Sequence, residues 1–576
     1  MLLTLQATAN VDLSSGLFIG ITDGPNSVVE SVQLTVTSSL TADAVFKIRD
    51  TLAAGHWTGN LQILLCKNAA CTSQYPGSPV ALPYDVTVQA RAQALSIKAD
   101  QPVVRAEAGD AVDLPIYGEI VNYGLTVKVE DQNGNFGSGH TLWQRTAGKL
   151  TFGPNANSPI TKTFATPGTY SGTLLLHVYD AQQRETKDSP ISVPYAILIY
   201  ANSNLLALPS GTGLPDWQPK QGNAAHTGYV PVSLDASTFS KRWTWNAPGG
   251  TPTLNDIAIS SGKIVLNSGF LNCTLLALNE SSGTQAWNHV CGPDTYAAPY
   301  ISAGWLYTLS QSAVVKAHDL SNGVVMSSLS NSSGWGGDWI VGEGNDIYVP
   351  AGGMGVARID PLPPILLSGS ASVPYAHSGE PAIDADLLYF YCSERRALFT
   401  LNRHTATPDY TIGDAGPTAA GGEGDVSPIL GASNSVVVPS NYEPRSRNGF
   451  LSRFDTAARV RSWLVPGRYN RKPAVSGGHI YAMQDDLDVL EVRNEATGEL
   501  EWAWHPPFYE TPSNSGNIIV TNNLLFASYA TNTYAIDLAT RKLVWSYPKS
   551  GQLALSPSKV LYILNGSRID AFNLFN

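Results

Sequence analysis

The sequence predicts an all-β chain: two tandem β-sandwiches followed by an eight-bladed β-propeller whose ring is closed by strands from both of its ends. Three observations predict it. From about Trp217 onward, a short apolar strand ending in Asp or Asn recurs at Asn279, Asp319, Asp360, Asn402, Asp455, Asn494, Asp537 and Asn573, with spacings of 40, 41, 42, 53, 39, 43 and 36 residues. Within the first 200 residues, SPVALPYDVTV (78–88) returns as SPISVPYAILI (189–199). Charged residues make up only 14% of the chain, and the Ala/Glu/Lys/Leu signature of long helices is missing.

Taken in order, residues 1–92 and 93–200 form two copies of one module, 201–216 a Pro/Gly/Ser-containing linker, and 217–576 the propeller. Each copy holds about seven short alternating runs separated by Gly, Pro, Asn or Asp, as in an immunoglobulin-like β-sandwich. GHWTGNLQILL (55–65) returns as GTYSGTLLLHV (168–178). The copies differ in one hairpin, CKNAAC in the first and DAQQRE in the second. DQNGN (131–135) spaces Asp131, Asn133 and Asn135 like a calcium loop. Phe136 then stands where such a loop needs Gly, so a turn is expected.

In the propeller, Trp287, Trp463, Trp502 and Trp545 lie eight positions after an anchor, as does Tyr410 after Asn402. The anchor side chain can hold the following turn, and the tryptophan can pack between blades. The last anchor, Asn573, sits at the end of the sequence, so its blade lacks a fourth strand. FSKRWTW (239–245) is expected to supply it, with Trp243 in the tryptophan role, which removes a free sheet edge.

TLLALNESSGTQAW (274–287), LEVRNEATGELEW (490–502), TYAIDLATRKLVW (533–545) and the lead-in DWQPKQGNAAHTGYVP (216–231) resemble the repeat of PQQ-like, quinoprotein-type propellers, which include BamB-like outer-membrane assembly factors. The resemblance implies the propeller fold for about 360 residues. The scaffold hosts enzymes, scaffolds and adhesins alike, so it does not fix a function. Quinoprotein dehydrogenases commonly use a Ca²⁺ held by acidic and amide side chains and, in many members, a vicinal Cys-Cys. Adjacent cysteines, a CxxCH haem site and zinc-ligand spacing are all missing from this sequence, so no cofactor and no metal are expected.

The net charge is −11, split as −4 over residues 1–200 and −7 over 201–576. That balance argues against a nucleic-acid partner, and no apolar run is long enough to span a membrane. Two cysteine pairs are expected to be bridged: Cys66 with Cys71 at a hairpin tip, and Cys273 with Cys291, equidistant from the turn at residue 282. Cys392 reads as a small core residue. The stretch MLLTLQATAN lacks a basic segment and a full apolar core, so we expect a signal peptide to have been removed ahead of it. Together these place the protein in the periplasm or outside the cell, as a monomer.

Propeller d–a and b–c loops emerge on one face, where ligands are usually met. The long b–c loop of the fifth blade (440–449) carries Tyr442, Arg445 and Arg447. The fourth blade's corresponding loop carries Arg395 and Arg396, and the d–a loop entering the sixth carries Arg468, Tyr469, Arg471 and Lys472. Residues 394–472 hold 11 basic and 7 acidic side chains. This sector is expected to recognise a carboxylate on a protein or an anionic polysaccharide, since arginine grips carboxylates bidentately. Tyr442, Tyr469 and Tyr509 would add stacking surfaces. Nearer the axis, His377 and Glu380, with Asp294, Asp338, Glu423, Asp425 and Glu510, could serve acid–base chemistry on a polysaccharide. The reading favoured by the sequence is a non-catalytic binding protein; a lyase or hydrolase working in the funnel is the rival, and a PQQ-dependent dehydrogenase stands behind both.

Overall fold

A computed structural model describes residues 2–576 apart from 9–17, 24–27, 39–40, 50–51, 53–54, 89–94, 122–123, 250–252, 269–272, 293–298, 311–313, 331–338, 352–354, 361–362, 373–378, 393–394, 415–426, 441–448, 514–515 and the single positions 156, 187, 345, 364, 433 and 470. The chain divides into two compact units, Met1–Ser96 with Ile120–Leu125, and Ile97–Glu119 with Thr126–Asn576.

In the first unit two three-stranded antiparallel sheets pack face to face. One orders Leu2–Thr8, Thr41–Ile48 and Val29–Val36; the other Phe18–Thr22, Gly55–Cys66 and Val80–Val88. Alternate residues point inward, so Ala44 and Phe46 from one sheet meet Leu61 and Ile63 from the other. Cys66 and Cys71 form a disulfide at the hairpin tip.

Strands between Leu95 and Tyr200 form one eight-stranded sheet, the β-module, and the duplication extends to single hydrogen bonds. In each copy a tyrosine stands opposite a glycine across a hairpin: Tyr84 opposite Gly59, Tyr195 opposite Gly172. A Cβ on either glycine would lie within 2.6 Å of the ring or hydroxyl, so only glycine lets the tyrosine lie flat. The hydroxyl then donates to an aspartate, Asp23 at 3.2 Å and Asp131 at 3.0 Å. Ser78 accepts from the Leu65 N–H and Ser189 from the Val178 N–H. Asp131 also accepts from the N–H groups of Asn133 and Phe136. The DQNGN stretch is therefore a turn that braces Tyr195.

Among the described residues the remainder folds into eight four-stranded antiparallel sheets in chain order. We number these blades 1 to 8, with strands over 256–292, 300–330, 341–372, 382–413, 429–466, 474–504, 518–547 and 552–573. Ser240–Asn246 completes blade 8, with Ser240 opposite Asn573, so the ends of the ring share one sheet. In blades 1 to 7 the outer hairpin shifts register just before the anchor, between Ala317 and His318 for example. This bulge sharpens the bend into the turn. Anchor side chains then cap the turn: Asn494 accepts from the N–H groups of Ala496 and Thr497, and Asp537 from that of Thr540.

Three of the tryptophans stitch their blade to the next. Trp243, Trp287 and Trp463 each donate their indole N–H to the carbonyl just after the next blade's anchor, namely Glu280, Leu320 and Glu495, at 3.1, 2.9 and 2.9 Å. The indoles lie over the turn glycines. A Cβ on Gly283 would stand 2.5 Å from Trp243, and one on Gly498 2.8 Å from Trp463. Both glycines also have positive φ, 72° and 76°, where other residues are strained.

Candidate functional site

The lead-in positions the candidate site. From Trp217 to Val232 it runs around the inside of the ring, bonded through its backbone to successive inner strands. Trp217 bridges to Ile259 of blade 1, and Gln218 bonds both backbone groups of Ile301 in blade 2. Ala224 packs against Trp339 and Val341 of blade 3. The carbonyls of Ala224, Ala225, Thr227 and Gly228 accept from Ile383, Leu430, Val475 and Val520 of blades 4 to 7.

On the d–a/b–c face, the lead-in floors a cavity of about 80 Å³ between blades 5 and 6, lined in part by Lys220, His226, Ser427, Tyr469, Arg471 and Lys472. Pro439, at the end of the fifth blade's second strand, also lines it. Beside it lies a wider cleft of about 640 Å³ lined by Arg468, Asp485, Asp486, Asp488, Tyr509 and Thr511. Arg471 stands 3.7 Å from Asp485, and Arg468 3.7 Å from Asp486. Burial lowers the pKa of the Arg471 guanidinium; Asp485 opposes the shift and Arg468 adds to it.

The structure thus gathers Tyr469, Arg471 and Lys472 at one opening and Arg468 with Tyr509 at the next. Arg395 and Arg396 line neither. Arg396 turns back beside Asp414, whose N–H donates to the Arg396 carbonyl. There Tyr391 donates to Asp414, and Arg461 contacts the same carboxylate. Burial pushes the Tyr391 hydroxyl up to about 12, against the lowering effect of Arg396 and Arg461. Tyr442, Arg445, Arg447 and His377 lie outside the described residues, as do Asp294, Asp338, Glu423 and Asp425.

Tyr469, expected as a stacking surface, is only 1% exposed and donates to Glu491 at 2.8 Å; its apolar ring is better buried than presented. Tyr509 is 60% exposed. Its N–H bonds to Ala147 of the β-module. Cys273 stands opposite Gly292 rather than Cys291, because the two register shifts in that hairpin displace it; both cysteine side chains lie outside the described residues. Cys392 is buried.

Near the axis, Glu380 meets a partner the sequence did not pair with it. His226 Nε2 lies 3.2 Å from Glu380 Oε1, and His226 Nδ1 lies 2.8 Å from the Pro428 carbonyl. A carbonyl only accepts, so Nδ1 carries a hydrogen, and the remaining contact holds one proton between imidazole and carboxyl. Both side chains are buried, and Glu380 Oε2 has no hydrogen-bond partner among the described residues. Glu510 is held differently, accepting from Thr531, Asn532 and Tyr534. It braces the 529–534 hairpin rather than facing a funnel.

Sequence reading missed Lys220 and the His226–Glu380 contact, because the lead-in reaches them through backbone bonds that leave no side-chain pattern. It also missed Asp486 and Asp488, which sit just beyond the basic stretch yet fold back onto it; Asp485, by contrast, is among the carboxylates the sequence offers as partners for the loop arginines.

No family model matches the chain, and no curated protein matches it. Among solved structures it is similar to BamB from Moraxella catarrhalis (13% identity, TM-score 0.43, covering 58% of this chain and 98% of that one). It is also similar to a europium-containing methanol dehydrogenase (12%, 0.48, 62% and 98%) and to the computationally designed Ika8 protein (12%, 0.43, 57% and 98%).

Proposed function

We propose that this is a non-catalytic binding or scaffold protein of the periplasm or cell exterior, presenting the blade 5–6 sector to a carboxylate-bearing partner. The observation that carries this is the grouping of Lys220, Arg471 and Lys472 around one small opening. Three aspartates beside Arg468 make the neighbouring cleft mixed in charge. Such a pattern suits an acidic protein segment, which can also offer cations, better than a uniformly anionic glycan. The tandem modules, with the immunoglobulin-like character proposed for them, would act as spacers, and the Cys66–Cys71 bridge fits an oxidising compartment. We take the protein to be monomeric and the Cys273–Cys291 pair to be bridged.

The test is binding of a glutamate-rich peptide and of polygalacturonate, at low and high salt, to the wild type and to an Arg471→Ala, Lys472→Ala variant. Salt-sensitive binding of the peptide, weakened about tenfold or more by the double substitution, is the expected result. Binding that ignores the substitution sinks the site. Tighter binding of the polysaccharide shifts the partner to a glycan.

The buried His226–Glu380 contact, with one carboxylate oxygen unpartnered, favours a second reading: a polysaccharide lyase or hydrolase. Released oligosaccharides that vanish in Glu380→Gln would establish it.

A further inference from the structure

Where the β-module meets blade 7, a cleft of about 270 Å³ opens between Asp100–Arg105 and Lys542–Trp545. Its walls mix polar and apolar surface, the apolar part from Pro102, Val103, Leu543, Val544 and Trp545, and Gln101 adds an amide. Its volume equals about nine waters at their share of the liquid.

Arg105 is the charged group of the inner wall. It donates to the Val103 carbonyl at 3.1 Å and hydrogen-bonds Tyr200, while its buried Nε has no hydrogen-bond partner among the described residues. Tyr200 in turn accepts from Trp545 at 2.9 Å. Burial lowers the guanidinium's pKa, and the tyrosine compensates only in part.

The nearby carboxylates are committed elsewhere. Glu107 accepts from Lys241, Tyr547 and Arg568 at 2.8, 2.5 and 2.5 Å. Asp570 accepts from Lys241 and Arg568 at 2.5 and 2.8 Å. Among the described residues Tyr200 is the group that favours the Arg105 charge, and no carboxylate pairs with it. A buried charge is costly unless it is paired. At the mouth, Lys542 and Asp100 stand 3.6 Å apart, 71% and 88% exposed, so their attraction is weak and Lys542 is free to turn inward.

We propose that this cleft binds the carboxylate of a small ligand with an apolar or ring-shaped body. Arg105 takes the carboxylate as a planar fork, Lys542 adds a second charge at the mouth, and the apolar walls hold the body. This site is separate from the loop-face sector and does not depend on it.

The test is ligand-observed saturation-transfer NMR on the intact chain with hexanoate, glucuronate and the methyl ester of each. Transfer to at least one acid and to neither ester is the expected result. Arg105→Lys keeps the charge but loses the fork, and should weaken binding about tenfold. Lys542→Ala, at an exposed position that leaves the fold intact, should weaken it severalfold, and Arg471→Ala should leave it unchanged. The preferred acid identifies the body as aliphatic or sugar-like. Absence of transfer to both acids, equal transfer to the esters, indifference to both cleft substitutions, or loss with Arg471→Ala would each overturn the proposal.

Discussion

Two kinds of seam hold this ring, and they solve the same problem differently. At an ordinary seam, between blades 5 and 6, Trp463 rests on Gly498 and donates to the Glu495 carbonyl of the next turn. Blade 7 carries the same tryptophan, Trp545, but its receiver is not a turn carbonyl of blade 8. There Tyr200 of the β-module receives the indole N–H. Around it, Lys241 is wholly buried against Glu107 and Asp570, over the rings of Tyr547 and Phe572. The ordinary seam uses one hydrogen bond and a glycine; the closing seam uses a buried ionic cluster drawn from two modules. The module thus supplies at this seam the receiver that a blade turn supplies at the others.

The comparison can be broken from either side. Lys241→Met should have the largest effect, about 3–5 kcal/mol of stability, because it strands two buried carboxylates on Arg568 alone. Denaturant unfolding would read it; a loss below 1 kcal/mol would mean the cluster behaves like a surface pair.

Acid separates the seams next. His318 precedes the anchor that receives Trp287; it is buried, with Nδ1 on the Gly323 carbonyl and Nε2 on Thr308. Burial drops its pKa to about 4, the Gly323 carbonyl opposing this. The unfolded chain therefore binds the extra proton first, so stability falls as pH drops from about 6.5 towards 4, by up to about 3 kcal/mol. At the closing seam, burial raises the Glu107 and Asp570 pKa values, but Lys241 and Arg568 outweigh it and hold both below the ordinary range. Their contribution is present above the unfolded carboxylate pKa and is lost as pH falls through the folded one. Melting curves against pH should show His318→Gln flattening only the upper window.

Gly498→Ala should cost about 2 kcal/mol, from positive φ and the displaced Trp463. The red shift of tryptophan emission would report that displacement. Tyr200→Phe is the mildest change, about 1 kcal/mol from one lost acceptor. A larger loss on Tyr200→Phe than on Gly498→Ala would invert the ranking of the seams.

The ring was legible because each anchor carries its own turn chemistry and the Trp lies at a fixed offset from it; Asn494 with Trp502 shows the pattern within nine residues. The closing strand was legible too, since FSKRWTW puts Trp243 in the tryptophan role ahead of the first full repeat. Trp545 was read as one more blade tryptophan, for no local pattern distinguishes an indole that meets Leu320 from one that meets Tyr200. The charge balance of the basic sector was only partly legible for a related reason. A count along the sequence stops at Lys472, whereas the fold lays Asp485 against Arg471. Tyr469 looked like a loop aromatic until Glu491, on a neighbouring strand, drew its hydroxyl inward.

The lead-in has a consequence for how the molecule is made. Gln221 donates to the Ile518 carbonyl, 297 residues later in the chain. At about 5–20 residues per second, ribosomal synthesis leaves that amide waiting roughly 15–60 s for its acceptor. Contacts so distant in sequence form late and slow folding. The segment that leads the ring in sequence is thus among the last to settle, and a ring short of a blade would leave some of its carbonyls with no strand to receive. Its docking reports that the count of blades is complete.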